Sequence, residues 1–351
     1  MKFSSKKMLI LAGALCGVVA AILAATGNPA NMALCVACFI RDTAGALKLH
    51  SAPVVQYARP EIIGIVLGAF IISLVTKEYR STGGSSPMVR FILGFVIMVG
   101  SLVFLGCPLR MVIRMSAGDI NAYIALIGFV GGVATGCFAL KKGFSLGRAY
   151  ETHAMSGAIM PVLMGVVLIL AVGTTLLASS TEGPGSMHAP IILALAGGLI
   201  FGILAQMSRM CFAGSIRDII LLKNFNLICV IGGLFVVMLI YNIATGNFHF
   251  AMAGQPIAHT EVLWNILGMY AVGFAAVLAG GCPLRQLVLA GQGSSDAAVT
   301  VLGLFAGAAA CHNFGLASSA DGTTPAGRIV LIICIVVLFI IAFVGNKRKA
   351  A

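Results

Sequence analysis

Four short elements hold the residues whose types and spacing could do chemistry. CVACFIRD at Cys35–Asp42 and CFAGSIRD at Cys211–Asp218 share their Cys, Ala, Ile, Arg and Asp. GCPLR occurs twice without change, at Gly106–Arg110 and at Gly281–Arg285. Gly106 and Gly281 let the backbone turn sharply. Pro108 and Pro283 suit the first turn of a helix, where a missing N–H costs nothing. Cys107 and Cys282 therefore read as residues at helix starts, among free backbone N–H groups. Such an end carries about half a positive charge and attracts anions. Arg110 and Arg285, one turn further in, add full charge. The same field favours a thiolate or a strong S–H donor. Serine would serve phosphate or sulfate. A soft thiol suits sulfane sulfur, sulfide, selenium or a soft metal. A metal is disfavoured by the net charge of +12 and by the lack of carboxylates beside the thiols. The competing assignment, an apolar filler in a tight turn, does not explain why a whole pentamer with its Arg is duplicated.

The elements that must position these motifs are apolar runs. They fall at Met8–Ala25, Ile62–Thr76, Phe91–Gly106, Ala122–Leu140, Ile159–Ala178, Ile191–Met207, Leu227–Ala244, Leu263–Gly280, Ala297–Ala310 and Ile329–Val344. A signal peptide would explain the first run, which follows Lys2, Lys6 and Lys7. A similar run precedes the matching motif in the second half, so a transmembrane helix is expected instead. The segments after the motifs, with Arg41 and Lys48, with Arg110 and Arg114, and with Arg285, are too short and apolar for separate domains. They are expected as re-entrant half-helices, tolerated at membrane depth only where buried in protein or lining a cavity.

Composition leads to the same class. The chain has 351 residues, of which 60% are hydrophobic and 9% charged. A soluble globule must cover itself with polar groups and cannot use so much apolar side chain. Disorder, a disulfide-stapled secreted domain and an aromatic-girdled barrel are excluded by the same numbers. What remains is an all-α integral membrane protein with room for about ten helical crossings. A charge of +12 could indicate nucleic acid, but the basic residues collect in loops. Lys2, Lys6 and Lys7, then Lys77, Arg80 and Arg90, then Lys141, Lys142 and Arg148 come at intervals of two crossings. Lys347, Arg348 and Lys349 close the chain, while Ser179–Pro190 and Gly246–Glu261 contain no Lys or Arg. By the positive-inside rule both termini are expected in the cytoplasm of a multi-pass inner-membrane protein.

The paired motifs lie about 175 residues apart, and Cys137 and Cys311 repeat at nearly the same distance. This is the mark of an internal duplication. The expected repeats are 1–180 and 181–351, forming one membrane domain. Five crossings per repeat would insert the second copy upside down, with a site near the midplane where broken helices meet. Arg41/Asp42 and Arg217/Asp218 are charges in apolar surroundings, which mark either a pathway or structural ion pairs; a salt bridge between the repeats is the structural alternative. Cys38 completes a CxxC with Cys35, but Gly214 replaces it in the second copy. One CxxC supplies too few ligands for zinc, and Phe39 stands where a c-type haem site needs His. Cys16, Cys229 and Cys334 read as packing residues. His50, His153, His188, His249 and His259 fall in expected loops and should be solvated; His312 has no first-half equivalent. No Walker loop, dinucleotide fingerprint or nucleophile elbow is present, so neither an enzyme nor ATP-driven transport within this chain is expected.

The duplicated GCPLR, each preceded by a Cys–Arg–Asp element, resembles the YeeE/YedE family of sulfur-transport membrane proteins. The likeness runs from about Asn28 to Phe314. NMALCVACFIRDTAGALKLH followed by RPEIIGIVLGAF looks closest to the YedE branch, linked with selenium metabolism. The resemblance implies an hourglass-shaped helical transporter for thiosulfate or a related sulfur or selenium anion. It implies a line of thiols at Cys107, Cys282 and Cys35, with Cys38 the less favoured choice for the third; the extra Cys211 departs from the family pattern and makes this chain more symmetrical. It further implies a small cytoplasmic TusA-like sulfur carrier as partner, no cofactor, no metal and no nucleic acid. A membrane thiol oxidoreductase working through Cys35 and Cys38, or a non-transporting subunit of sulfur or selenium metabolism, are the alternatives.

Overall fold

The computed structural model describes residues 5–347, so Lys2, Arg348 and Lys349 of the basic ends lie outside the described residues. The first half holds α1 (Lys6–Ala25), α2 (Val36–Ala46), α3 (Pro60–Val75), α4 (Pro87–Phe104), α5 (Pro108–Ser116), α6 (Ile120–Lys141) and α7 (Ala154–Gly173). The second half holds α8 (Ile191–Ser208), α9 (Phe212–Leu222), α10 (Asn226–Ala244), α11 (Val262–Ala279), α12 (Pro283–Gln292), α13 (Ser295–Asn313) and α14 (Pro325–Lys347). One two-residue strand pair, Thr82–Gly83 with Tyr150–Glu151, ties two loops together.

Helices α2, α5, α9 and α12 have 11, 9, 11 and 10 residues. At about 1.5 Å per residue they reach roughly half of a ~30 Å hydrocarbon layer. Three of these half-helices were expected from the charges that follow the motifs. The fourth, α9, was not separated from its surroundings in the sequence.

Nine segments of the described residues are long and apolar enough to cross a bilayer. In Pro87–Ser116, Ile191–Leu222 and Val262–Gln292 a long helix continues into a half-helix. The apolar α3 is shorter, at 16 residues, and starts buried at Pro60 and Glu61. Burial is inverted relative to a soluble protein. Ile192 is 84% exposed, while Arg59, Arg110 and Arg114 are wholly buried. Only lipid makes the first favourable, and only internal partners make the second tolerable. The chain is an all-α integral membrane protein.

The two halves interleave. α1 packs on α10, α3 on α8, α4 on α13 and α6 on α11, so each of these pairs takes one helix from each half. Glycine permits the closest approaches: a Cβ at Gly13 would collide with the Val230 carbonyl, and one at Gly128 with the Ile266 carbonyl. Backbone contact of this kind is how helices associate where lipid is as apolar as leucine.

Each half-helix is set off by a break in the left-handed region. Leu105 (φ 62°) ends α4, Arg209 (φ 57°) ends α8, and Gly280 (φ 84°) ends α11. Before α2 the chain passes through Asn31 (φ 60°) and Ala33 (φ 43°). For a side chain such as Leu105 this conformation costs on the order of 1 kcal/mol or more, and strain of this kind clusters at functional sites. Pro108 and Pro283 then restart the helix at its first position.

Candidate functional site

All four motif cysteines stand at the N-cap of a half-helix: Cys35 for α2, Cys107 for α5, Cys211 for α9 and Cys282 for α12. The sequence pointed to this role for Cys107 and Cys282 through the proline that follows each. Cys35 and Cys211 reach it differently. Their sulfurs accept the amide of the third helical residue, Cys38 N–H at 3.4 Å and Gly214 N–H at 3.2 Å. A thiol here does what Ser or Asp does at an ordinary helix start.

The caps meet in pairs within each half. Cys35 Sγ lies 3.8 Å from Cys107 Sγ, and Cys211 and Cys282 are in side-chain hydrogen-bond contact. Cys107 also faces the Ala37 amide of α2, and Cys282 the Phe212 amide of α9. Each thiol pair is therefore framed by the N-termini of two half-helices. All four cysteines are free thiols. Across the halves, α2 packs on α12 and α5 on α9. Cys38 joins the first pair only, in contact with Cys35 and with Arg110 Nη1 at 3.5 Å.

Arg110 and Arg285 differ in their partners. Arg110 is fully buried and donates to the carbonyls of Asn31 and Ile257, both at 3.0 Å. Arg285 donates to Gln206 Oε1 at 3.3 Å. Among the described residues neither forms an ion pair, whereas Arg114 binds Asp119 at 2.6 Å. A cation in apolar surroundings without a counter-ion can take an anion as its partner.

Arg41 and Asp42 pair with each other at 2.7 Å, and Asp42 also binds Arg59 at 2.8 Å. Arg217 and Asp218 pair at 2.8 Å. The alternative of a salt bridge between the repeats fails for these residues, because each carboxylate is neutralised by its own neighbour. Bridges between the halves do exist, but Glu78–Arg209 and Arg90–Asp296 make them. Arg59 was missed in the sequence. It is fully buried, lies 4.5 Å over the Phe39 ring, and donates to the carbonyls of Pro184 and Met187. Its position just before the Pro60 helix start was the available signal.

Two histidines also depart from expectation. His50 and His259 are buried, not solvated, and hydrogen-bond the carbonyls of Arg41 and Val103. Burial pushes both imidazoles below the usual histidine value. His153 and His249 are exposed.

Two cavities approach the thiols from opposite ends of α1. One, of about 500 Å³, lies beside Leu9 and is lined by Cys211, Arg209, Arg217, Asp218 and Arg285. The other, of about 480 Å³, lies beside Ala24 and Ala25 and is lined by Asn28, Asn31, Ala33, Asn242 and His249. The first reaches a thiol directly. The second ends at Ala33, two residues before Cys35.

Residues 207–344 match the family described as sulphur transport. A stretch of 101 residues, 28% of this chain, is 30% identical to the thiosulfate transporter TsuA of Spirochaeta thermophila. That match spans 30% of the relative's length. The sulphur transport match includes Cys211, the second GCPLR and the arginines of the charged cavity, Arg209, Arg217 and Arg285.

Proposed function

We propose that this protein is a membrane transporter that passes a thiosulfate-like sulfur anion between the two cavities. The observation that carries the reading is the set of four thiol N-caps in two pairs, flanked by Arg110 and Arg285. A small dianion would meet helix N-termini and S–H donors along the way, and the carboxylate that shares the cavity with Cys211, Asp218, is paired with Arg217. The terminal sulfur of such an anion is soft and suits a thiol better than a hydroxyl. The sulphur transport match and the TsuA likeness favour a transporter over a thiol oxidoreductase. Gly214 in place of Cys38 also argues against a working CxxC in both copies.

The two halves, 1–180 and 181–351, form inverted repeats in this reading, and their half-helices converge toward the membrane midplane. The positive-inside rule applied to the basic loops supports a cytoplasmic location for the face around Leu9 and for both termini. The anion enters through the asparagine-lined cavity, is handed along Cys35, Cys107, Cys282 and Cys211, and leaves by the cavity rich in arginine. A small sulfur carrier of the TusA type is the receiving partner that the family resemblance implies. Selenium anions share the softness of the substrate, and the wording of the Cys35–His50 region favours them as a second substrate class.

Uptake of labelled thiosulfate and labelled selenium oxyanions into liposomes holding the purified protein tests the reading. Wild-type protein should accumulate one class, and Cys107→Ser and Cys282→Ser should each lose uptake while still folding. Normal transport by both serine variants overturns the thiol route. A reversible Cys35–Cys38 disulfide with no uptake of either class overturns transport itself.

A further inference from the structure

Of the chain's ten acidic residues, Glu151, Glu182 and Asp321 are exposed in loops, and six others are in ion pairs. Glu61 is the one left. It is fully buried in the first turn of α3 and makes no ion pair among the described residues. Its Oε1 accepts from Asn28 Nδ2 at 2.8 Å, while Oε2 has no hydrogen-bond partner. The neighbouring Arg59 is turned away, onto Asp42 and the carbonyls of Pro184 and Met187. The second half offers no counterpart, since α10 contains no acidic residue. Symmetry of the scaffold therefore does not require this carboxyl.

Resting on the transport reading above, we propose that Glu61 is the proton-binding site that couples anion passage to a proton gradient. An ionisable side chain inside a membrane protein without a structural partner is there for function. Carrying a dianion into a cell against an inside-negative potential is uphill, and protons moving with it offset that charge. Asn28 provides the link. Its Nδ2 donates both to Glu61 and, at 2.7 Å, to the Ala33 carbonyl, and its Oδ1 accepts from the Ala189 amide. Asn28 also lines the cavity that ends at Ala33. Glu61 thus lies one side chain away from that cavity. Protonation weakens the acceptor that holds Asn28, and Asn28 holds the segment leading to the Cys35 cap.

The groups facing Glu61 are few. Arg59 and Tyr57 come from the preceding loop, Asp42 comes from α2, and His188 stacks on Tyr57. Of the helices packed on α3, α7 and α8 contain no ionisable residue, α2 brings Arg41 paired to Asp42, and α12 carries Arg285. Asn28 holds one carboxyl oxygen, the other has no hydrogen-bond partner, and the nearest cation, Arg59, is bonded to Asp42.

Labelled thiosulfate uptake into liposomes, with and without an acid-outside gradient, tests the proposal in wild type and Glu61→Gln. Wild-type uptake should rise several-fold with the gradient, and the Glu61→Gln rate should be the same in both conditions. Should wild type fail to take up thiosulfate at any pH, the transport reading fails. Should wild type transport without responding to the gradient, or Glu61→Gln keep the response, the proton site is overturned. If Glu61→Gln is inactive throughout, infrared difference spectra of the folded proteins decide. A carboxyl C=O band that changes between neutral and acidic pH in wild type and is missing from the variant supports the site. The same band in both proteins overturns it.

Discussion

Cys35 and Cys107 are at most 1% exposed, whereas Cys211 is 5% exposed and lines a cavity together with Arg209, Arg217 and Arg285. The motifs that build the two pairs are nearly identical, yet only Cys211 meets an opening; Cys282, at 1%, is as buried as Cys107. The difference lies around them. In the first half, Arg110 is tied to two carbonyls and to Cys38, and Asp42 gathers two buried arginines. In the second half, Gly214 removes the third thiol, Arg285 holds only a glutamine, and Asp218 serves one half-exposed arginine. A duplicated sequence has thus been set in two different surroundings, and one of its four thiol caps lines a charged cavity.

The sharpest way to break this comparison is at the two aspartates. Asp42→Asn leaves two buried guanidinium groups without their carboxylate and should cost about 3–5 kcal/mol of stability. Asp218→Asn, at a half-exposed pair, should cost about 0–1 kcal/mol. Denaturation of the purified variants in detergent measures both, and similar losses would show that burial does not separate the two elements.

A step smaller are the arginines of the GCPLR motifs. Arg110→Ala orphans the carbonyls of Asn31 and Ile257, each worth about 1–3 kcal/mol when buried and unpaired. Arg285→Ala orphans a single acceptor, Oε1 of the buried Gln206, and should cost about half as much. Comparison of their unfolding midpoints checks this. In the same preparations Arg285→Ala should still reduce anion uptake, which separates its charge from any structural role.

Access to the thiols can be read without transport. A charged alkylating reagent should modify Cys211 in the folded protein well before Cys35 or Cys107, as peptide mass spectrometry would report. Equal labelling of Cys211 and the first pair would mean that the first pair is not sealed.

The smallest effect concerns pH. His50 and His259 have folded values pushed down by burial from the usual value near 6.5. Below that value the unfolded chain takes up protons that the folded protein refuses, so stability falls as pH drops. Thermal unfolding at neutral pH and about one unit below 6.5 should show the loss. His259→Gln should reduce it, and an unchanged dependence in that variant would remove His259 from the account.

The repeat, the helix starts at Cys107-Pro108 and Cys282-Pro283, and three of the four half-helices were readable because Gly, Pro and charge act locally on the backbone. The apolar runs announced themselves for a similar reason: a bilayer accepts a segment on its length and composition. The separate identity of α9 was hidden, since no proline marks its start and only the left-handed Arg209 breaks it from α8. Nothing local could place Arg59 on Asp42, bury His50 and His259, or leave Glu61 without a cation.

The amino-acid sequence by itself determined that the protein is helical and membrane-embedded, that it is duplicated, and that its thiols stand where helices begin. These follow from hydrophobic length, turn chemistry and repetition, all of which are properties of short stretches of chain. Only the tertiary structure decided which thiols meet, which ion pairs close within a half, and which cavity reaches a sulfur. Cys35 and Cys107 are separated by 72 residues and meet at 3.8 Å. Such pairings depend on how the two halves interleave, and interleaving is set by packing of surfaces far apart in the chain.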